Sequence, residues 1–266
     1  WERFLKFHRA QLKELCERFA PDLLWFDGDW EPAREHWRFE GLRRRLKRWC
    51  PGVTLNSRMG GFGDYATPEQ GIPTTAPAGP WEFCMTINDS WGWQPRDQNY
   101  KSVRQIIRTF TEVIGMGGNL LLDVGPRADG TIAREQVSRL EALGAWIRRH
   151  EEAVFGTTAG LPHGLFYGSS TLSQDRRSLY LCFYDRPWKE IAVKGLLSKV
   201  KRVSALGSGR ALAHRVLGGA PWAGVPGVLW IDVPAKEIDR HATVVKVEFE
   251  EPLRLWMEAG HAITAN

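Results

Sequence analysis

Over 266 residues the sequence has no apolar run approaching the roughly 20 residues of a membrane span, which excludes a bilayer-crossing helix. It has only four cysteines, Cys16, Cys50, Cys84 and Cys182, with no Cys-x-x-Cys pair and no Cys/His ligand spacing. Neither a zinc site nor a redox pair is therefore written into it, and no metal site is expected. Cys16 and Cys84 lie among apolar neighbours and read as free, buried thiols. No Gly-x-Gly-x-x-Gly opens a helix, so the dinucleotide fingerprint of an open Rossmann sheet is missing. The start, Trp1-Glu2-Arg3-Phe4, carries no initiator Met, signal peptide or capping signal. The expectation is a chain that begins partway through an element, with any targeting sequence upstream, so no compartment is assigned.

What is present begins with charge. A net charge of +5 and a pI near 9.1 raise the question of a nucleic-acid partner. The densest basic cluster, Arg43-Arg44-Arg45-Lys47-Arg48, falls in a helical segment whose Leu42, Leu46 and Trp49 occupy another face. A solvated helix surface explains it, and no nucleic-acid motif accompanies it.

The texture changes near residue 155. Before it, amphipathic helices alternate with short apolar runs. Residues 2–20 place Leu5, His8, Leu12, Leu15, Cys16 and Phe19 on one helical stripe, where His8 reads as a satisfied core histidine. Asp22 to Phe26 reads as a buried strand, 33–49 as a helix and Val53–Ser57 as a second strand. After a Gly-rich loop from Gly60 to Gly79 come a third strand, 82–87, and a helix, 100–115, with Val103, Ile106, Ile107 and Phe110 inward. Leu120–Val124 is a fourth strand, and a helix over 132–153 follows, with Thr131 as its expected cap.

Such alternation implies a parallel sheet. Asp27, Arg58 and Gly125 all follow strand ends, which favours part of a (β/α)8-like (TIM) barrel, whose active face is built there. After 155, strand-like runs at 179–184, 228–233 and 242–249 are separated by turns, as in an antiparallel β-sandwich. The expected division is therefore a catalytic barrel portion at 1–155 and an accessory β-sandwich at 156–266.

Asp27 follows the apolar run Leu23-Leu24-Trp25-Phe26, so a packed strand would hold its carboxylate rigidly. Spacing alone leaves it open whether Asp27 is a nucleophile or caps an Asp-Gly turn. A retaining glycosidase needs a second carboxyl group about 5–5.5 Å away. Glu69, in the loop Gly63–Glu69, and Glu82, in Trp81-Glu82-Phe83-Cys84, compete for that place. A loop can bring a carboxyl over the active face, whereas the start of a barrel strand lies at the opposite end, which favours Glu69 over Glu82. Arg58 could orient a carboxylate or bind a sugar hydroxyl, with a surface salt bridge as the plainer alternative. Among 13 tryptophans, Trp25, Trp91 and Trp93 flank the candidate acids. Their rings could stack on a sugar or wall an apolar pocket for a C5 methyl group.

At these residues the sequence resembles the α-L-fucosidases of glycoside hydrolase family 29. The resemblance runs through Asp22–Trp30, Asn56-Ser57-Arg58, Gly63-Asp64-Tyr65 with Thr67-Pro68-Glu69, and Trp81–Cys84 with Ser90–Trp93. It continues through Gly117–Pro126 with Asp129-Gly130, covering residues 1 to about 155. It implies a (β/α)8-like barrel followed by a β-sandwich, and exo-hydrolysis of terminal α-L-fucose with retention and without a cofactor. Carried over, Asp27 is the nucleophile and Glu69 the acid/base, with Glu82 as the alternative. Trp25 and Arg58 would contact the fucose or orient the acids, and Trp91 or Trp93 would line the pocket. The expected partner is a fucosylated oligosaccharide or glycoconjugate, with neither nucleic acid nor membrane.

One count complicates this. Four strands precede the sandwich, whereas a closed barrel needs eight and roughly 250 residues. The family's fucose-binding histidines also have no counterpart here. The expectation is that the N-terminal half lies upstream of this sequence, or that a second chain or another copy of this one supplies it. Two further readings are a truncated, non-hydrolytic carbohydrate-binding or scaffold protein, and a retaining glycosidase of other sugar specificity.

Overall fold

The computed structural model describes residues 1–31, 34–187 and 189–258. The chain forms two compact units that part after Cys84.

In the first unit, helix α1 (Glu2–Phe19) leads to the short strand β1 (Leu23–Leu24). Helices α2 (Arg34–Trp37) and α3 (Phe39–Trp49) precede β2 (Thr54–Leu55). The single helix expected over 33–49 is broken at Arg38, whose left-handed backbone (φ 52°) ends α2 and starts α3. Strands β1 and β2 pair in parallel, Leu23 opposite Thr54 and Leu24 opposite Leu55. The core gathers Leu12 and Cys16 of α1, Phe39, Leu42 and Leu46 of α3, and Val53, Leu55 and Met59. It reaches only one edge of the predicted α1 stripe, so Leu15 and Phe19 are exposed. His8 packs in an aromatic group with Phe4, Phe26 and Trp37, and burial lowers its pKa. Its Nδ1 is buried without a hydrogen-bond partner, so it is not the satisfied core histidine expected.

The basic cluster on α3 is also not uniformly solvated. Arg44, Arg45 and Arg48 are exposed, but Arg43 and Lys47 turn onto one buried-side carboxylate, Asp64, at 2.6 and 2.9 Å. The same carboxylate accepts the Leu55 N–H at 2.9 Å. Helix spacing puts 43 and 47 on one face; only the returning loop makes that face a clamp.

Beyond β2 the chain keeps the parallel direction. Asn56 bridges Tyr65, Ala66 bridges Trp81, and Glu69 bridges Cys84, all in parallel. The segment 65–70 is thus hydrogen-bonded alongside 80–84, through Glu82 N to Ala66 O (2.9 Å) and Cys84 N to Pro68 O (3.0 Å). Strand β3 (Glu82–Thr86) begins here and continues past the division.

In the second unit, α4 (Val103–Gly115) starts at Ser102, which forms a full capping box with Gln105. It buries Ile106, Ile107 and Val113, while Val103 and Phe110 are half-buried. Strand β4 (Asn119–Asp123) belongs to a two-stranded sheet with β3. Helices α5 (Arg134–Arg149) and α6 (Glu151–Val154) follow. Thr131 does not cap α5: its N–H and hydroxyl both donate to Asp129 Oδ1, closing the preceding turn, and Ala133 occupies the cap.

The remaining strands are β5 (Thr157–Ala159), β6 (Ser169–Ser173), β7 (Ser178–Phe183), β8 (Glu190–Val193), β9 (Val200–Ala205), β10 (His214–Leu217), β11 (Val228–Asp232) and β12 (Thr243–Phe249). They form two sheets, ordered β5-β6-β7-β12-β9 and β10-β11-β8, with every strand pair antiparallel. Period-2 alternation sends Leu179, Leu181, Val245 and Val247 of one sheet, and Ile191, Val193, Leu229 and Ile231 of the other, into a shared core. The other face of the larger sheet meets helices: Trp146 Nε1 donates to Ala242 O (2.9 Å), and Thr171 Oγ1 donates to Ala153 O (2.7 Å). The chain is thus mixed α/β, parallel early and antiparallel from Thr157, close to the predicted change of texture. Among the described residues no helix is long and apolar enough to cross a membrane.

Candidate active site

The ends of β1 and β2 bring the candidate residues of the first unit together. Strand β1 carries Trp25 and Asp27 just beyond its pairing with β2, and Arg58 follows β2 by three residues. Arg58 Nη1 donates to Asp27 Oδ1 at 2.8 Å, while its Nη2 donates to Glu69 Oε2. One guanidinium therefore holds both carboxylates side by side. Arg58 itself is well enclosed, with its side chain 16% exposed against 59% for Asp27 and 36% for Glu69. The fixed end is the cation, and the two acids face outward from it. Burial would lower the Arg58 pKa, but the hydrogen bonds to Asp27 and Glu69 outweigh that and raise it. Its Nε reaches Thr67 Oγ1 (3.4 Å), Nη2 reaches Cys84 Sγ (3.6 Å), and its carbon lies 5.2 Å from the Trp25 ring centroid.

Glu69 does not ride on a free loop. Its segment is laddered onto 80–84, and the Asp64 clamp anchors the loop's start. Glu82 follows Trp81, the residue paired with Ala66, and its N–H donates to the Ala66 carbonyl, whereas the carboxylates that accept from Arg58 are Asp27 and Glu69. Burial pushes the Glu82 carboxyl above its ordinary value.

Several contributing residues carried no assigned role in the sequence. Asn56, fully buried, accepts the Phe26 N–H at Oδ1 and donates Nδ2–H to the Phe26 carbonyl, both at 2.8 Å. Tyr65 sets its ring edge-on to Trp25 (centroids 6.4 Å apart), and its hydroxyl is buried without a partner. Burial, then the nearby Glu82, pushes that phenol up to about 12, so it stays protonated. Cys84, also buried, has its thiol pushed up by burial. The signal for Asn56 and Tyr65 was their place inside the quoted motifs; nothing in their spacing distinguished them from structural residues.

Trp91 and Trp93 belong to the second unit. Trp91 is exposed, and Arg127 lies over the Trp93 ring at 4.7 Å. Gly125 packs so tightly there that a Cβ would lie 2.7 Å from Gly92 C and Trp93 N, which accounts for glycine after β4. Asp123, at the end of β4, keeps Oδ2 buried and unpartnered, and burial raises its pKa.

Two carboxylates flanking a common point, beside an aromatic ring at the ends of parallel strands, fall within the chemistry of glycoside hydrolases. Residues 1–152 match the sequence model of the α-L-fucosidases, and the chain belongs to that family. It is 31% identical to the α-L-fucosidase of Dictyostelium discoideum over 163 residues, 56% of this chain and 34% of that protein. It is also 31% identical to human tissue α-L-fucosidase over 160 residues, 55% of this chain and 34% of that protein. The chain thus spans about a third of the length of these curated relatives. Among solved structures it is similar to α-L-fucosidase isoenzyme 1 from Paenibacillus thiaminolyticus (29% identity, TM-score 0.81), covering 94% of this chain and 63% of that one. It is likewise similar to a family 29 α-L-fucosidase from Bacteroides thetaiotaomicron, solved as a trapped covalent intermediate with 2-fluoro-fucosyl fluoride. That match has 25% identity and a TM-score of 0.80, covering 93% of this chain and 61% of the other.

Proposed function

We propose that this chain is the C-terminal part of a retaining exo-α-L-fucosidase, acting on terminal α-L-fucose of oligosaccharides or glycoconjugates. In this reading residues 1–155 complete a (β/α)8-like barrel and 156–266 form an accessory β-sandwich. The observation that carries it is the pair of carboxylates, Asp27 and Glu69, on the single guanidinium of Arg58. Retaining enzymes hold their two acids about 5–5.5 Å apart, and here both acids are drawn to neighbouring nitrogens of one guanidinium. The covalent intermediate named for the Bacteroides relative is consistent with the same double displacement.

Asp27 attacks the anomeric carbon as the bond to the leaving oxygen breaks, and Glu69 delivers its proton to that oxygen. Water then gives a proton to Glu69 and its oxygen displaces Asp27, restoring both acids and the original configuration. Arg58 orients both carboxylates and stabilises the Asp27 charge once it is released. Trp25 and Tyr65 supply an apolar wall of the kind a 6-deoxysugar methyl requires.

A second assignment of the proton donor rests on Glu82, because burial favours its protonated form, the state a general acid starts in. The test of the core reading is Asp27→Gly in the whole protein that carries this chain. Hydrolysis of 4-nitrophenyl α-L-fucoside should be lost, and azide should restore turnover as the β-fucosyl azide, since a single inversion then replaces two. Wild-type rates without azide, or an α-configured azide product, refute the nucleophile.

A further inference from the structure

We infer that Asn56 is a positioning residue for the reaction, its carboxamide replacing the parallel ladder at the end of β1 and fixing how Asp27 leaves the strand. This rests on the reading of Asp27 as the nucleophile.

The β1–β2 ladder ends at Leu24 opposite Leu55, with one long further bond from Asn56 N to Leu24 O at 3.5 Å. Past that point the backbone of Asn56 turns to the other side, where it bridges Tyr65. Gly63 is pressed onto the Asn56 carbonyl so closely that any Cβ would overlap it. The main chain after β2 is therefore committed to the 63–65 segment and has nothing left for Phe26. Buried backbone groups left unpaired are costly, so both polar groups of Phe26 need another partner. The Asn56 side chain meets both at 2.8 Å, accepting from the N–H and donating to the carbonyl.

The consequence is directional. The Phe26 N–H belongs to the peptide plane before that residue, and its carbonyl belongs to the plane that joins it to Asp27. A single planar amide, fully buried, thus sets the orientation of both planes. On the far side of Asp27 stands Gly28 with φ +80°, whose carbonyl accepts the Glu31 N–H at 3.2 Å. Asp27 is left few ways to point, and Arg58, two residues after Asn56, takes its carboxylate. A displacement of the order of 1 Å at a nucleophile costs about 10²-fold in rate.

The experiment uses Asn56→Asp in the whole protein, which keeps the shape and the acceptor but removes the donor. It should lower kcat on 4-nitrophenyl α-L-fucoside roughly 30- to 100-fold with KM within about 3-fold. The same change in the Asp27→Gly background should leave azide-supported turnover within about 3-fold, because azide does not need Asp27 to be aimed. Asn56→Ser, which shortens the side chain without adding charge, should show the same contrast if the Asp variant does not accumulate. An equal fall in both backgrounds, no fall in the first, or loss of folded protein in both variants overturns the inference, leaving Asn56 a structural residue. Wild-type turnover of Asp27→Gly without azide instead refutes the nucleophile and is a separate failure.

Discussion

The Asp64 clamp offers the most quantitative test of how the Glu69 segment is held. Asp64→Asn keeps the shape of the side chain and removes its charge. In the native site one carboxylate serves the Leu55 N–H, Arg43 and Lys47. Leu55 is fully buried, so an unsatisfied N–H there costs about 1–3 kcal/mol. The two cations are each about one-third exposed, so their pairs together add only about 1 kcal/mol after solvent screening. The retained amide oxygen recovers about 1 kcal/mol, which leaves a net loss of about 2 kcal/mol. That is roughly a 30-fold rise in local opening.

The assay is amide hydrogen exchange of peptides spanning residues 53–65. The pH dependence gives a second handle. Burial alone would raise the Asp64 pKa, but the bonds from Lys47, Arg43 and the Leu55 N–H outweigh it and hold it low. A carboxyl depressed in the folded state stabilises fully above its ordinary value, near 3.8, and the contribution drains away as pH falls through the lower folded value. Protection of the segment in the wild type should therefore collapse below about pH 4, whereas the Asn variant should start lower and lack that acid limb. Exchange within about 3-fold of wild type at neutral pH, or an unchanged acid limb, refutes the clamp.

Two further outcomes are expected. Glu69→Ala should slow fucosides with poor leaving groups roughly 10²- to 10⁴-fold more than aryl fucosides, because only the former need proton donation; if Glu82→Ala gives that pattern instead, the donor is Glu82. Gly63→Ala should destabilise the first unit by about 1–3 kcal/mol in exchange or unfolding measurements, since its Cβ would overlap the Asn56 carbonyl and lie 2.6 Å from Ser57 Cα; an unchanged stability would mean the 63–65 segment is not pressed against β2.

Some of the groups that meet around Arg58 were legible without coordinates. The apolar run ending at Asp27 and the placement of Arg58 after the next strand both follow from strand-end logic, and these residues do meet. Loop position favours Glu69 over Glu82 in the sequence; Arg58 bonds Glu69, and the Glu69→Ala and Glu82→Ala comparison decides which is the donor. The free loop that the sequence suggests is instead a segment laddered at Ala66 and Glu69 onto Trp81 and Cys84. Two details failed for a related reason. Arg43 and Lys47 looked like solvent-facing charges because Asp64, 17 to 21 residues away, is adjacent only after the chain turns back. Thr131 looked like a helix cap because a hydroxyl before a helix usually is one, yet Asp129 satisfies it locally.

Local pattern determined where the apolar strands lie, which helices are amphipathic, and that acids and an arginine stand at strand ends, because periods of 2 and 3.6 residues are properties of neighbouring positions. Tertiary structure alone decided which of those groups share a point in space. The bonds from Arg58 to Asp27 and from Asn56 to Phe26 span 31 and 30 residues. They depend on the parallel register between β1 and β2, where a slip of one residue would turn every side chain to the opposite face. Register is set by burial on both sides of the pairing at once, which is why the run ending at Asp27 could be recognised in the sequence while the groups that hold Asp27 could not.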